Sequence, residues 1–228
     1  MAEFSYIARI RTDFPQKFGV PRQSGLIEAL TGTIVFEPEY RNPDMLRGLE
    51  GFTYIWLIWA FSQSKGWSPT VRPPRLGGNQ RMGVFATRSP FRPNPIGLSS
   101  VKLDQIELHT EDGPVIHVSG VDLMDGTPVL DIKPYIPYAD SHPEAASGFL
   151  APLQERLLTV ECSEERLEIV PDRARKALLE VLAHDPRPAY QRDPDRVYGM
   201  DFAGVNVKFR VEEDRVIVCE IGRSEGTR

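Results

Sequence analysis

Along residues 6–11 apolar and polar side chains alternate, Tyr6, Ala8 and Ile10 against Arg9 and Arg11, which is the period of a strand with one buried face. Residues 14–25 break the pattern with turn formers, while Phe14 and Phe18 stand in that loop as apolar pins for a neighbouring surface. A second strand is predicted over 31–36. A helix is predicted over 42–51, where Asn42 suits the cap, Pro43 the first helical position, Asp44 the positive end of the dipole and Gly51 the stop. The run Thr53-Tyr-Ile-Trp-Leu-Ile-Trp-Ala-Phe61 is β-branched and aromatic without alternation and reads as a central strand buried on both faces. Residues 62–81 form a long loop, and Val84, Phe85 and Ala86 read as the end of a buried strand.

Strands predicted over 98–108 and 115–123, joined by the turn Glu111-Asp-Gly-Pro114, make an antiparallel hairpin that sets His109 opposite His117. A second tight turn, Asp125-Gly-Thr-Pro128, leads into residues 129–138. Six or so short strands separated by proline-rich loops indicate an all-β sandwich or barrel. Beyond about residue 151 the texture changes. A short strand is expected near 157–162, and an amphipathic helix over 172–184 carries Ala174, Leu178, Val181 and Leu182 on one face. In a closing hairpin Val205, Val207, Phe209 and Val211 alternate with Asn206, Lys208 and Arg210. The expected division is residues 1–150, mainly β, and residues 151–228, a small α+β domain that is either a structural appendage or a substrate-binding unit.

Composition narrows the class. A chain of 228 residues buries enough surface to fold without staples, and its two cysteines, Cys162 and Cys219, supply neither a disulfide framework nor a zinc cluster. The longest apolar segment, 52–61, is far too short to span a bilayer and no leader pattern opens the chain, so a soluble, cytoplasmic protein is expected. The net charge is only −5, but its distribution is uneven. Between Glu50 and Asp104 there is no acid, while Lys65, Arg72, Arg75, Arg81, Arg88, Arg92 and Lys102 all fall there; from Asp104 to Leu150 nine acids face Lys133 alone. Such segregation is either the footprint of a phosphate-reading surface beside an acidic site or a field that folding cancels.

The stretch from Gly83 to Ser99 is built too expensively for a simple connector. Pro90, Pro93 and Pro95 hold it extended and non-helical, and it presents Arg88 and Arg92 together with Ser89 and Asn94. It is either a stiff anion- or ligand-binding arch or a proline turn with solvated arginines. No glycine-rich nucleotide fingerprint, Walker lysine loop, zinc-protease pair or serine-nucleophile elbow is present, and the four histidines lack ligand spacing.

Several motifs carry a specific resemblance: Lys17-Phe-Gly-Val-Pro-Arg-Gln23, Arg72-Pro-Pro-Arg-Leu-Gly-Gly-Asn79, Phe85-Ala-Thr-Arg-Ser-Pro-Phe-Arg-Pro-Asn-Pro-Ile-Gly97, Asp125-Gly-Thr-Pro128 and Asp131-Ile-Lys-Pro-Tyr-Ile-Pro-Tyr138. Over residues 4–148 the chain resembles the TsaA-like family of tRNA methyltransferases, often called TrmO, and its tail resembles the small C-terminal domain of bacterial members. The resemblance implies a compact single-sheet β-barrel, S-adenosylmethionine as methyl donor, and methyl transfer to N6 of N6-threonylcarbamoyladenosine at position 37, just 3′ of the anticodon in tRNA. It also implies a homodimer with cofactor sites near the subunit interface. The cofactor-binding positions it implies are Pro21, Arg22, Gln23, Ser62, Gln63, Arg88, Leu98, Asp125, Gly126, Thr127 and Pro128. Many relatives have histidine where this chain has Ser62.

The chemistry fits these positions. Arg88 suits a carboxylate, and backbone groups in the tight turns suit adenine edges, although Asp125 serves equally well as a turn cap. The acceptor nitrogen is a poor nucleophile, so placement dominates and one N6 proton must leave. Asp131 and Tyr135 are the candidate proton acceptors, with Asp131 also readable as a satisfied strand-end carboxylate. Arg72, Arg75, Arg81 and Arg92 are the candidates for anticodon-stem phosphates, with Arg88 turned inward and Arg92 outward. The rival reading from another class is a non-catalytic module that senses the cofactor or a nucleoside, or docks RNA.

Overall fold

The structure, a computed structural model, describes residues 4–73, 80–150, 157–187, 193 and 195–224. Its strands in chain order are β1 (Ala8–Thr12), β2 (Thr31–Phe36), β3 (Tyr54–Ala60), β4 (Thr70–Val71), β5 (Met82–Gly83), β6 (Ile96–Thr110), β7 (Gly113–Ser119), β8 (Thr127–Pro134), β9 (Thr159–Glu161), β10 (Tyr198–Phe202), β11 (Val205–Glu212) and β12 (Arg215–Arg223). Six of them close an antiparallel barrel in the order β1-β2-β7-β6-β3-β8. A six-stranded barrel is narrow enough for side chains to fill. Here Ala8, Ile10, Ile34, Ile55, Leu57, Val101, Ile116, Val118 and Val129, all essentially inaccessible, do so.

Barrel closure explains why β3 is not buried on both faces as its composition suggested. Ile55, Leu57 and Trp59 point inward, whereas Tyr54, Trp56, Ile58 and Ala60 lie on the outer face and keep partial or full exposure. The helix expected over 42–51 is instead two 3₁₀ turns, Pro43–Leu46 and Leu49–Gly51. Asn42 does cap the first, its side chain accepting from the Asp44 N–H at 3.0 Å, but Gly48 at φ +87° ends the helical path. Val84–Ala86 is likewise a 3₁₀ turn rather than a strand end, because β5 is only two residues long; Val84 is buried and Phe85 is 79 % exposed. The long hairpin turns at Glu111 and Asp112, so His117 faces Gln105 rather than His109.

The C-terminal part is a four-stranded sheet in the order β10-β11-β12-β9, with α1 (Pro137–Asp140) preceding it and α2 (Glu164–Leu167) and α3 (Asp172–Ala183) within it. On α3 the apolar stripe Ala174, Ala177, Leu178, Val181 and Leu182 is buried against the sheet core of Val207, Phe209, Val216 and Val218. The strand β10 carried no clear sequence signal, because Tyr-Gly-Met-Asp-Phe has glycine and aspartate at its alternate positions. Among the described residues no helix is long and apolar enough to cross a membrane.

Candidate active site

The proline stretch is an arch stitched by its own polar groups. Thr87 donates to the Val84 carbonyl at 2.9 Å, the Phe91 N–H donates to Ser89 Oγ at 3.2 Å, and the Arg92 guanidinium donates to the Thr87 carbonyl at 3.1 Å. The arch is tied to the loop after β3 by the Ser68 N–H on the Phe91 carbonyl and the Phe61 N–H on the Pro95 carbonyl. Arg92 is therefore a half-buried brace, whereas Arg88 is exposed and reaches across to the Gln23 side-chain carbonyl.

Arg88 lines a cleft of about 390 Å³ with Ser24, Tyr54, Trp56, Ser100, Tyr135 and Asp140. Register explains the walls: Trp56 is paired with Ser100 on one side and Lys133 on the other, so outward positions of β6 and β3 converge with Tyr135 just past β8. The Tyr135 ring lies 5.5 Å from Trp56 and 6.3 Å from Tyr54. Ser24 accepts the Ser100 N–H at 3.1 Å, which draws the 21–25 loop onto β6. Asp140 accepts from the Trp56 indole at 3.0 Å and from the Ile136 N–H at 2.7 Å, and those two donors, the backbone one first, hold its carboxyl below the usual range. The cleft thus offers one fixed cation, one carboxylate held ionised and three aromatic faces.

Behind Arg88 lies a residue that sequence reasoning missed. The Asp122 carboxylate accepts from Ser99 Oγ at 2.6 Å, and the Trp59 indole donates to that same Ser99 oxygen at 3.0 Å inside the barrel. Burial pushes its pKa up to about 6, against the pull of Ser99, its own N–H, Arg88 and the Ser24 N–H.

The Asp125–Pro128 turn occupies a different place. Asp125 accepts the Thr12 N–H at 3.0 Å, so its side chain ties the turn to the end of β1; its own N–H donates to the Phe14 carbonyl and the Gly126 N–H to the Ile10 carbonyl, each at 2.8 Å. Asp125 and Gly126 line a second cleft of about 300 Å³ with Arg9, Arg11, Val35, Phe36, Glu37 and Arg41. The two clefts share no lining residue. Ser62 and Gln63 are exposed just past β3, at the barrel end where β8 begins, since Trp59 pairs with Val129. Leu98 lies on the outer face of β6, 49 % exposed. Pro21 and Arg22 precede Gln23, and Arg22 donates to the Arg187 carbonyl at 3.3 Å.

Of the two candidate proton acceptors, Tyr135 lies in the Arg88 cleft, while Asp131 sits outside on β8 with Lys133 Nζ at 2.8 Å and the Ile132 N–H at 2.9 Å. Arg72 is exposed, and Arg81 donates to Thr70 Oγ1 at 3.0 Å on the short β4–β5 ribbon. Arg75 lies outside the described residues. The cleft members Ser24, Ser100, Tyr54, Trp56 and Asp140 carried no separate signal in the sequence, because register and burial alone bring them together.

Comparison with known proteins agrees over nearly the whole chain. Residues 9–141 match the family model described as the tRNA-methyltransferase O N-terminal domain, and residues 155–224 match the TrmO C-terminal domain. A tRNA (adenine(37)-N6)-methyltransferase of Escherichia coli strain K12 is 42 % identical over 228 residues, covering 92 % of this chain and 94 % of that protein. One of the same description from Eikenella corrodens is 48 % identical, covering 77 % of this chain and 99 % of its own. The crystal structure of TrmO from Pseudomonas aeruginosa superposes with a TM-score of 0.77 at 34 % identity, covering 97 % of this chain and 99 % of that one.

Proposed function

Because the chain belongs to the tRNA-methyltransferase O family, we propose that its two clefts are parts of one site for methyl transfer from S-adenosylmethionine to N6 of adenine 37 in tRNA. The observation that carries this reading is the Arg88 cleft. A guanidinium and an ionised carboxylate in one cleft complement the carboxylate and ammonium of an amino-acid head, and aromatic faces favour both a cationic centre and a flat purine. When bound, S-adenosylmethionine supplies an electrophilic methyl group on a sulfonium. Gln23 and Arg88 would hold its head, Leu98 would give an apolar contact, and the Asp125–Pro128 turn, whose N–H groups bond within the chain, would offer carbonyl oxygens to the adenine amino group.

We assign the acceptor as N6-threonylcarbamoyladenosine in the anticodon loop. Its N6 lone pair is delocalised into both the purine and the carbamoyl group, so alignment is the larger contribution and a proton must be removed as the bond forms. Tyr135, in the cleft, is better placed to take part in that transfer than Asp131, whose carboxylate is engaged by Lys133. Arg72 and Arg81, with Arg75, suit phosphates of the anticodon stem; Arg92 contributes by bracing the arch. The cytoplasm is the fitting compartment for such a substrate.

A homodimer joins the clefts. Within one chain the Arg88 cleft and the Asp125 turn line separate hollows, and the outer face of the β3–β6 seam exposes Tyr54, Ile96 and Leu98, with Phe85 and Phe91 of the arch also exposed. An apolar surface of this kind fits burial in an assembly. In that arrangement Arg88 of one subunit faces the Asp125 turn of its partner. The test is incubation with methyl-labelled S-adenosylmethionine and tRNA with or without the threonylcarbamoyl group, followed by mass spectrometry of the nucleosides. One methyl group on the threonylcarbamoylated nucleoside supports the reading; cofactor binding without any methylated nucleoside favours a sensing module.

A further inference from the structure

Between β1 and β2 the chain makes a loop with two flanks, and residues on both are engaged by neighbouring elements. On the flank toward the C-terminal domain, Asp13 takes Arg173 of α3 in a two-pronged ion pair, at 2.6 and 2.8 Å, and its carbonyl accepts the Ala203 N–H at 2.9 Å. Phe14 is fully buried with its ring 5.0 Å from Phe202. Gln16 donates to Asp201, and Phe18 stacks on both Tyr198 and Phe209 at 6.3 Å. Gly19 has φ +94°, and a Cβ there would fall on the sulfur of Met200, so the domain also selects the one residue without a side chain at its closest approach. Arg22 ends the contact on the Arg187 carbonyl.

The opposite flank of the same loop carries both segments assigned to the methyl donor. The Phe14 carbonyl accepts the Asp125 N–H, Thr12 Oγ1 accepts the Phe14 N–H, and the Asp125 carboxylate accepts the Thr12 N–H. Farther along, Gln23 meets Arg88, Ser24 meets Ser100, and the Gly25 N–H donates to the Gly120 carbonyl at 2.8 Å. Both the 21–23 segment and the Asp125 turn therefore hang on a loop whose other side is occupied almost entirely by α3, β10 and β11.

We propose that the C-terminal domain acts as a clamp that orders the 13–24 loop and thereby sets the affinity for the methyl donor, with Arg173 and Phe18 as the positioning residues. The inference rests on the assignment of these segments to S-adenosylmethionine. Without the clamp, a loop rich in glycine, proline and polar residues samples many conformations, and apparent affinity falls by the fraction that remains competent. Two side chains that never touch the ligand are then specificity and affinity determinants for it, and the C-terminal domain has a role in cofactor binding that does not require it to touch tRNA.

The experiment compares the wild-type chain with Arg173→Gln and Phe18→Leu by calorimetric titration of S-adenosylmethionine, filter binding of tRNA, thermal unfolding and hydrogen exchange. The expected result is a dissociation constant for S-adenosylmethionine raised about fivefold or more in each variant, as the competent fraction falls. Exchange should quicken at the amides of residues 22–25, with tRNA affinity unchanged and the rest of the fold protected. The double variant Asp13→Arg with Arg173→Asp should recover most of the lost affinity. An unchanged affinity in folded variants, or a loss confined to tRNA binding, overturns the clamp while leaving the methyltransferase reading intact. Absence of S-adenosylmethionine binding by the wild-type chain overturns both.

Discussion

Asp122, in the loop between β7 and β8, interacts electrostatically with Arg88, and its titration is the most distinctive signature of this site. Its pKa of about 6 stands above the ordinary carboxylate value of 3.8, so between about pH 4 and 6 the folded chain keeps a proton that the unfolded chain has released. The contribution of this group to stability is therefore complete below pH 4 and is lost as the pH rises through 6, by at most about 3 kcal/mol. Urea unfolding of wild type against Asp122→Asn should show this difference shrinking or reversing across that window; a pH-independent difference would mean that Asp122 is not buried as described. Arg88 itself should be intolerant of Arg88→Gln, with the KM for S-adenosylmethionine raised about 10- to 150-fold, as for loss of a charged hydrogen bond. Arg88 was legible from sequence because a fixed cation on a stiff proline arch is unusual. Asp122 was not, because an acid between Val121 and Leu123 looks like any strand-end carboxylate until Ser99, Trp59 and Ser24 are folded onto it.

At the level of elements, the seam between β3 and β6 carries the cleft. Gly97 pairs with Trp59, and a Cβ at Gly97 would stand closer than van der Waals contact to the indole ring whose N–H donates to Ser99. Gly97→Ala should therefore cost about 1–3 kcal/mol by overpacking and release the Ser99–Asp122 bond, seen as a lower urea midpoint and, because that bond favours the ionised carboxylate, a higher Asp122 pKa. A midpoint equal to wild type would show that the indole moves aside freely. The pattern of the chain disclosed the strands, the α3 helix and the closing hairpin, since periodicity reports burial of one face directly. It misled at residues 42–51, where capping chemistry was right but Gly48 turned the path, and at β3, where an aromatic outer face looked like a second buried one. That outer face is apolar for the cleft and for the proposed dimer, neither of which is local information.

For the whole molecule, the proposed site draws a different part from each of the barrel, the C-terminal sheet and a second copy. The 13–24 loop links the first two, and the exposed apolar surface around Leu98 is the proposed contact for the third. Fold class was readable from strand spacing and from family motifs, whereas the separation of the Arg88 cleft from the Asp125 turn emerges only from closure of the barrel. Subunit mixing probes that separation most directly. Arg88→Ala and a variant with the Asp125–Pro128 turn replaced should each be inactive in methyl transfer to threonylcarbamoylated tRNA. Equimolar mixing after dissociation should restore about a quarter of wild-type activity, because half the dimers are mixed and each then holds one intact site of two. Mixed subunits that assemble yet stay inactive would contradict a methyl-transfer site shared between two copies of the chain.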